Sequence, residues 1–436
     1  MKIILPLVLF WFRRDLRLID NAGLFAALSC DFKVLPIFIF DTCILDKLEK
    51  KTDKRISFIL AALQQLNNDL IERGTSLLVL HGKPLEVLSD LTKKYDIKGV
   101  YTNEDYEPYG MVRDKEVGEM LKTKGISLFS FKDHVIFSKD SLLTGTGKSY
   151  GVFTPYSKKW KDTLSMNDLK VHESETIRDK WVVYSGGRVP RAEKLGFKTF
   201  KNIYKEPVLD VALVSNYHRD RDFPAIDGTT LLGPHLRFGT ISIRKCVRYA
   251  WDTNQIWLNQ LIWRDFFIQI LWHFPRVVNT SYREKFDRIE WLNHEDDFER
   301  WKNGKTGVPI VDAGMRQLNQ TGFMHNRVRM IVASFLSKHL LIDWRWGEAY
   351  FASKLLDYEL ASNNGNWQWA AGSGVDASPW FRIFNPVLQS HKFDPSGAYV
   401  KKWVPEFGTP PYPDLMIDLD FGRKRCLEVF KRAVQE

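Results

Sequence analysis

Residues 3–17 read IILPLVLFWFRRDLR, a run of ten uncharged residues that ends abruptly in charge. The run is too short for a membrane-spanning helix, which needs about 20 apolar residues. A signal peptide would continue into an uncharged cleavage region, but Arg13, Arg14, Asp15 and Arg17 stand there instead. We therefore predict a buried first β-strand, and we expect a cytoplasmic protein that does not associate with membranes.

The amino-terminal part repeats this pattern of short apolar runs. The predicted strands cover residues 3–10, 34–40, 76–81, 99–102 and 126–131. Helical patterns lie between them, for example at 55–73 and 111–124. Alternating strands and helices with continuous apolar strands indicate an α/β domain over residues 1–131, with a doubly wound, Rossmann-like parallel sheet. No GxGxxG follows the first strand, which disfavours an ordinary dinucleotide-binding dehydrogenase.

The composition changes after residue 131. Residues 132–205 mix Gly, Ser, Lys and Pro, and they predict a long interdomain linker over the surface. Within it, Gly147-Lys148-Ser149 resembles a phosphate loop, but that motif needs Gly at the position of Leu142. Residues 206–430 predict an all-α domain. Its predicted helices cover 256–274, 306–321, 324–342 and 346–360.

The whole-chain composition narrows the choice of partners. The 436 residues carry a net charge of +10, which favours nucleic acid or an acidic membrane surface, although a solubilising excess of Lys gives the same sum. Fifteen Trp and 29 Phe indicate aromatic packing or a flat aromatic ligand. The four cysteines are far apart and form no CxxC pair, so we predict neither a metal site nor a disulfide framework.

The first long helix predicted for the all-α domain has one face that combines aromatic, amide and guanidinium side chains. Trp257, Gln260, Trp263, Arg264 and Phe267 recur there at helical spacing. A purely structural stripe would be aliphatic, whereas aromatic faces and amide edges bind flat rings and Arg binds phosphate. Core packing with one incidental Arg is the alternative.

A later predicted helix presents Asn326, Arg329 and Met330 on one face and Arg327 on another. A buried Arg beside apolar residues needs a partner, for which Asp357 is the candidate carboxylate. We expect Arg327 to reach a DNA phosphate.

Two further stretches combine polar and small residues. Residues 357–369 read DYELASNNGNWQW, and we predict a helix end, then an Asn/Gly turn that permits close approach of a ligand, then two Trp. A plain helix terminus and turn is the alternative. Residues 228–239 read GTTLLGPHLRFG, where Thr hydroxyls and free amides ahead of a helix can hold a diphosphate.

Together with the opening at 12–17, these clusters resemble the photolyase/cryptochrome family, and within it the class I cyclobutane pyrimidine dimer photolyases. Motif matches run from residue 8 to about residue 390. The resemblance implies an α/β antenna domain, a linker and a helical domain that binds FAD, with Asn363 near flavin N5. It implies FAD contacts from Tyr217, Thr229, Thr230, Leu231, Leu232, Gly233, Trp257, Gln260, Arg264, Arg329, Asp357, Tyr358, Glu359 and Asn363.

The resemblance also implies a reaction. It predicts a deoxyribodipyrimidine photo-lyase, a carbon–carbon lyase that repairs UV-damaged DNA by electron transfer from excited, reduced FAD to a flipped-out pyrimidine dimer. Trp367, Trp344 and Trp291 match the family's electron-transfer relay, from the flavin outward. The expected contacts to the dimer and the DNA are Arg221, Gln260, Trp263, Asn326, Arg327, Met330, Trp369 and Arg382. We expect the protein to act as a monomer.

Several residues distinguish the members of this family. Met330 stands where (6-4) photolyases place a second His, and Asn363 stands where plant and insect cryptochromes carry Asp or Cys. Gln260 replaces the usual Glu and offers no charge, which predicts less efficient repair or an altered specificity. A cryptochrome-type blue-light receptor, (6-4) repair and a flavin-free basic nucleic-acid-binding protein are the alternatives.

The antenna chromophore is open at this point. Residues 106–110, YEPYG, lack the Asn-Glu pair of folate-binding members. A deazaflavin, a second flavin, a folate or no antenna remain as choices.

Overall fold

The computed structural model describes residues 6–48 and 51–435, which form two compact units. The first unit contains the described residues up to Ser141 together with Asp162–Leu209 and Leu232–Asp252. The second contains Leu142–Lys161, Asp210–Leu231 and the described residues from Thr253 onward. The chain therefore passes between the units more than once, and the simpler division at residues 131 and 205 stays a prediction.

The first unit is built on one parallel sheet of five strands in the order β3-β2-β1-β4-β5. The strands are β1 Leu7–Phe12, β2 Lys33–Asp41, β3 Leu78–Gly82, β4 Ile97–Asn103 and β5 Ser127–Phe131. This is the predicted doubly wound arrangement, in which the strand order reverses beside β1. The predicted first strand ended at residue 10, but β1 continues to Phe12 because Trp11 and Phe12 are equally buried. Residues 3–5 of that prediction lie outside the described residues.

Alternate residues of β1 point into two apolar clusters, one on each face of the sheet. Val8, Phe10 and Phe12 belong to one cluster, and Leu7 and Leu9 to the other. Burial on both faces explains the continuous apolar run that opened the chain. The helices of the first half of the sequence are α1 Ala22–Leu28, α2 Thr42–Leu45, α3 Lys54–Ile71, α4 Pro84–Lys94, α5 Pro108–Lys122 and α6 Phe153–Thr163.

Helix α6 corrects the prediction that residues 132–205 form a connection over the surface. Its Trp160 is fully buried, and the indole nitrogen donates a hydrogen bond to Asp265 Oδ2 at 3.2 Å. Aromatic residues at positions 153, 156 and 160 follow helical spacing, so one face of this segment packs into the second unit.

The remaining elements are helical, as predicted for this part of the chain. They are α7 Val211–Asp220, α8 Gly233–Phe238, α9 Ile243–Thr253, α10 Gln255–His273, α11 Glu295–Lys302, α12 Pro309–Thr321, α13 Asn326–Ser334, α14 Trp344–Lys354, α15 Leu360–Ala371, α16 Pro386–Phe393, α17 Ala398–Trp403 and α18 Leu419–Gln435. A π-helical turn at Phe335–His339 continues α13. Within the ranges that the structure describes, no helix is both long enough and apolar enough to cross a bilayer.

Two predicted helices had wrong boundaries. Helix α12 begins at Pro309 rather than at 306, because Gly307 has a φ of +76° and Pro309 suits the first helical position. The helix predicted for 346–360 ends at Lys354, where Leu355 adopts an extended conformation.

The predicted Asn/Gly turn in residues 357–369 is also wrong, because α15 runs through it without a break. The Asn364 amide donates to the carbonyl oxygen of Val277 at 3.0 Å, so this side chain does not compete for the helix backbone. Gly365 faces Phe267 of α10 so closely that a Cβ atom would overlap the ring. The glycine therefore serves the packing of two helices and not a left-handed turn.

Replacing Gly365 with Ala is expected to lower the free energy of unfolding by about 1–3 kcal/mol, because the added methyl group must displace the Phe267 ring. Denaturant unfolding followed by tryptophan fluorescence measures the change. Gly118→Ala is the matched control, since a Cβ in that helix meets only ordinary contact with Leu128. An unaltered midpoint for Gly365→Ala would contradict the packing argument.

Candidate active site

The second unit contains a cavity between α13, α14, α15 and the turn that precedes α15. Its lining combines charged, amide and aromatic side chains, which is the mixture that a polar aromatic ligand needs. Its lining residues are Asn326, Arg329, Met330, Ala333, Phe351, Leu355, Asp357, Tyr358, Glu359, Ser362, Asn363, Asn366, Trp367 and Ala370. The structure thus brings together most of the flavin contacts predicted for α13 and α15 with two of the predicted dimer contacts, Asn326 and Met330.

Two ion pairs hold the acidic turn before α15. The Arg329 guanidinium lies 2.8 Å from Asp357 Oδ2, as predicted, and also donates to the Met324 carbonyl at 2.7 Å. The Arg264 guanidinium of α10 lies 2.9 Å from Glu359 Oε1, and both side chains are largely buried. Trp257 and Gln260 of the same helix do not line the cavity. Arg264, which was predicted on the same face of α10, contacts the turn before α15.

Asp357 also offers a test of whether a polar ligand fits this cavity. Its second carboxylate oxygen, Oδ1, is buried and accepts no hydrogen bond from the residues that the structure describes. Such an atom normally has a partner, so the cavity wall presents an acceptor suited to an N–H or O–H group of a ligand. Flavin rings and ribose both carry donors of this kind, so the unpaired oxygen of Asp357 fits FAD as a ligand.

The side chain of Asn363 is fixed by a residue that the sequence reasoning missed. Its amide nitrogen donates to Glu348 Oε1 at 2.7 Å and to the Glu348 carbonyl oxygen at 3.1 Å. Because these bonds use the amide nitrogen, the amide oxygen of Asn363 can accept a hydrogen bond from a ligand. Burial raises the pKa of Glu348, and the bond from Asn363 opposes that rise. Glu348 lies on α14, and no motif or period in the sequence connects it to Asn363.

Trp263, a predicted dimer contact, is the central aromatic residue of this part of α10. This half-buried indole stacks on Phe153 of α6, with 3.7 Å between ring centroids and 5° between the planes. Phe153 therefore covers one aromatic face of Trp263, and Phe266 and Phe267 contact the same ring with 5.5 and 5.3 Å between centroids. Gln260, one turn earlier, is half-buried and donates to the Ile256 carbonyl at 3.3 Å.

A second missed residue, Asp222, pairs with two of the predicted DNA contacts. Arg327 lies 2.6 Å from Asp222 Oδ1 and sits 4.3 Å above the Phe393 ring, so it is already paired and is not a free cation. Arg221 lies 3.7 Å from the same carboxylate and 5.7 Å from the Tyr217 ring. A DNA phosphate that binds here has to compete with Asp222.

The predicted diphosphate stretch falls on both units. Thr229, Thr230 and Leu231 belong to the second unit, and Leu231 is exposed with a φ of +52°. Leu232 and Gly233, which begins α8, belong to the first. The role of residues 229–233 in holding phosphate stays a prediction.

The predicted relay occupies a single apolar cluster. Trp367 and Trp344 are buried in it, and Trp291 packs against it. Trp301, which the sequence did not single out, lies 6.1 Å from Trp367 between ring centroids. Trp369 is half-buried, 6.5 Å from Phe384, and Arg382 is exposed on the loop that follows α15. Electron transfer along the three relay residues stays a prediction.

The first unit has its own cavity at the carboxyl ends of β1 and β2. The guanidinium groups of Arg13 and Arg113 lie 4.8 and 5.1 Å from the Trp11 ring. Tyr109 donates to Asp41 at 2.6 Å, and burial together with this carboxylate raises the pKa of Tyr109. The cavity therefore combines aromatic, cationic and acidic groups where sheets of this kind bind ligands.

Replacing Glu348 with Gln is expected to raise the free energy of unfolding at pH 7. A carboxyl group whose pKa is raised by folding stabilises the folded state below its unfolded pKa, and that contribution is lost as the pH rises through the folded pKa. Gln stays neutral and its oxygen still accepts from Asn363, so the gain should vanish near pH 4. Denaturant unfolding at both pH values checks this, with the exposed Glu428→Gln as control. An equal effect at pH 4 and pH 7 would argue against the burial of a charge at Glu348.

Comparisons with known proteins agree with both units. The family described as DNA photolyase matches residues 8–176, and the FAD-binding domain of DNA photolyase matches residues 257–414. A Synechococcus protein named deoxyribodipyrimidine photo-lyase is 38% identical and covers 92% of this chain and 88% of its own length. An Agrobacterium fabrum protein of the same name is 39% identical, with 92% and 87% covered.

Solved structures show the same architecture. An Agrobacterium tumefaciens class III photolyase superposes with a TM-score of 0.87 at 32% identity, covering 100% of this chain and 99% of its own. A Sulfolobus tokodaii photolyase with two FAD molecules superposes with a TM-score of 0.83 at 35% identity, covering 98% and 99%. The predicted fold class and the prediction of FAD as cofactor are thereby confirmed. From this agreement in sequence and structure over nearly its whole length, we conclude that the chain belongs to the DNA photolyase family.

Proposed function

We propose that this protein repairs cyclobutane pyrimidine dimers in UV-damaged DNA in a light-dependent reaction. The observation that carries the proposal is the shared wall of one cavity. Arg329, Asp357 and Asn363, which match flavin contacts of the family, line the same space as Asn326 and Met330, which match dimer contacts. Electron transfer is steeply favoured by short distances, so a common cavity suits a reaction between cofactor and lesion.

FAD in its reduced form, when bound and excited by blue light, supplies an electron that splits the dimer and then returns. The residues of this chain bind and orient the reactants. Asp357 offers its unpaired oxygen to a ligand donor, and the ion pair with Arg329 keeps that carboxylate in place. Glu348 holds the Asn363 amide so that its oxygen stays available.

The dimer has to leave the DNA helix, which is easier for a damaged and weakly stacked step. Trp263, backed by Phe153, offers a preformed aromatic surface for it. The amides of Gln260 and Asn326 can hydrogen-bond pyrimidine edges, and Met330 supplies an apolar contact. Because the Met330 thioether cannot transfer a proton, we place (6-4) products second as substrates.

The DNA backbone would meet guanidinium groups around the cavity. Arg382 is exposed, and Arg221 and Arg327 share Asp222. A phosphate that replaces Asp222 as the partner of Arg327 would leave the cation stacked on Phe393. Salt should weaken the complex, since phosphate contacts release counterions.

The direct test illuminates reduced, FAD-loaded protein with an oligonucleotide that contains one cyclobutane thymine dimer, beside a dark sample and a (6-4) substrate. We expect intact thymines only in the light and only from the dimer. Equal recovery in light and darkness would refute light-driven repair. Recovery from the (6-4) substrate alone would reassign the lesion, and tight binding without repair would favour a blue-light receptor.

Replacing Phe153 with Ala is expected to weaken dark binding of dimer-containing DNA. An aromatic pair contributes about 0.5–1.5 kcal/mol, which corresponds to a loss of about two- to tenfold in affinity. Fluorescence anisotropy with a labelled duplex measures it, while the flavin content of the protein should stay unchanged. Phe421→Ala removes an exposed phenylalanine of the same unit and serves as control. Unchanged affinity in Phe153→Ala would show that the stacking of Phe153 on Trp263 does not contribute to DNA binding.

We also propose that the cavity of the first unit, beside Trp11, holds an antenna chromophore. The Trp11 and Tyr109 rings suit a flat ring such as that of a deazaflavin or a flavin. Arg13 and Arg113, which both pair with Asp114, supply N–H donors for the polar edge of such a ring. Mass spectrometry of chromophores released from the purified protein distinguishes these two from a folate. Release of FAD alone, at one equivalent, would contradict the proposal.

A further inference from the structure

Lys338 is a buried cation in the π-helical turn after α13, and the proposed reaction makes no use of it. Its side chain is almost fully buried, with 1% of the residue exposed. No carboxylate of the described residues lies within ion-pair distance of its nitrogen. Burial lowers the pKa of Lys338 to about 8, so the ammonium group is still charged at neutral pH. A buried cation without an anion is unfavourable unless strong hydrogen bonds compensate for its lost hydration.

The hydrogen bonds that compensate for the lost hydration of Lys338 come from one loop. The Lys338 ammonium donates to the carbonyl oxygen of Trp380 at 3.1 Å and to that of Arg382 at 2.9 Å. Between these residues the backbone makes a tight turn, in which the Arg382 N–H donates to the Pro379 carbonyl at 2.8 Å. The cation therefore holds both ends of a three-residue turn in the loop between α15 and α16.

One residue of this loop packs against the protein interior, and the next two are exposed to solvent. The Trp380 ring packs on Phe430 of α18, with 6.4 Å between centroids and 21° between planes. Phe381 and Arg382 are exposed on the other side. The loop follows directly on α15, which carries Trp367 and Trp369. Fixing its backbone thus fixes where the Arg382 guanidinium leaves the surface.

We infer that Lys338 is a positioning residue for DNA binding, whose ammonium holds the turn that presents Arg382 to a phosphate. A methionine would fill the same space without the desolvation of a charge, so packing alone does not explain a lysine here. What the ammonium adds is two directional bonds to the backbone of the turn at residues 380–382, beside the turn's own bond from the Arg382 N–H to Pro379 and the packing of Trp380 on Phe430. The inference rests on the proposed function, because it assigns the DNA contact to Arg382.

The first test needs no DNA. Hydrogen exchange is compared in wild type, Lys338→Met and Lys431→Met, the last of which removes one exposed charge from α18. Backbone amides of residues 380–384 should exchange about tenfold faster in Lys338→Met, while those of α13 and α15 stay protected. Equal protection of the loop in all three proteins would overturn the inference. If Lys338→Met does not fold, Lys338→Gln, which keeps a neutral donor, is measured in its place with the same expected direction.

The second test is a double-mutant cycle on dark affinity for dimer-containing DNA. Lys338→Met should weaken binding about tenfold in the wild-type background but less than about twofold in an Arg382→Ala background, since residues that act as one unit are not additive. Bound flavin, measured by absorbance, should stay unchanged. Equal losses in both backgrounds would show that Lys338 acts on stability and not through Arg382.

The two tests also separate this inference from the function on which it rests. A wild-type protein that does not bind dimer-containing DNA would refute the proposed function, while hydrogen exchange would still decide whether Lys338 holds the loop. Normal repair by wild type together with an unaffected loop in Lys338→Met would refute the inference alone.

Discussion

The buried ion pair between Arg264 and Glu359 joins the two helices on which the helical unit's site depends. Glu359 stands immediately before α15, and Arg264 lies on the face of α10 that also carries Gln260 and Trp263. Removing one partner of such a pair leaves an uncompensated buried charge and typically costs about 3–5 kcal/mol. One contact therefore aligns the helix for which we propose lesion contacts with the helix that lines the cavity proposed for FAD. Gly365 permits the same two helices to pack closely.

Several side chains of the site are held by residues that are not themselves expected to touch a ligand. Glu348 orients Asn363, Phe153 backs Trp263, and Asp222 pairs with Arg327. Positions fixed in this way before binding lose little further freedom when a ligand arrives. A flavin and a flipped base both have to be placed accurately for electron transfer, so a supporting layer of this kind suits the proposed reaction.

The sequence predicted the sheet well because its strands are buried on both faces and so form continuous apolar runs. It also predicted the pairing of Arg329 with Asp357, since a buried guanidinium needs a carboxylate. It failed at 357–369, where Asn and Gly suggested a turn. There the Asn364 amide bonds to Val277 and Gly365 packs on Phe267, and these tertiary contacts keep α15 helical. Glu348, Asp222 and Lys338 were missed because their partners lie far along the chain with no shared period.

We propose that light absorbed by a flavin in the cavity lined by Arg329, Asp357 and Asn363 drives repair. The most direct measurement is an action spectrum: the initial rate of dimer repair per incident photon, recorded across the near-ultraviolet and blue range on protein stripped of any antenna chromophore. We expect a rate that follows the absorption of the bound, reduced flavin at every wavelength. A rate that is independent of wavelength, or that persists in protein freed of FAD, would contradict it.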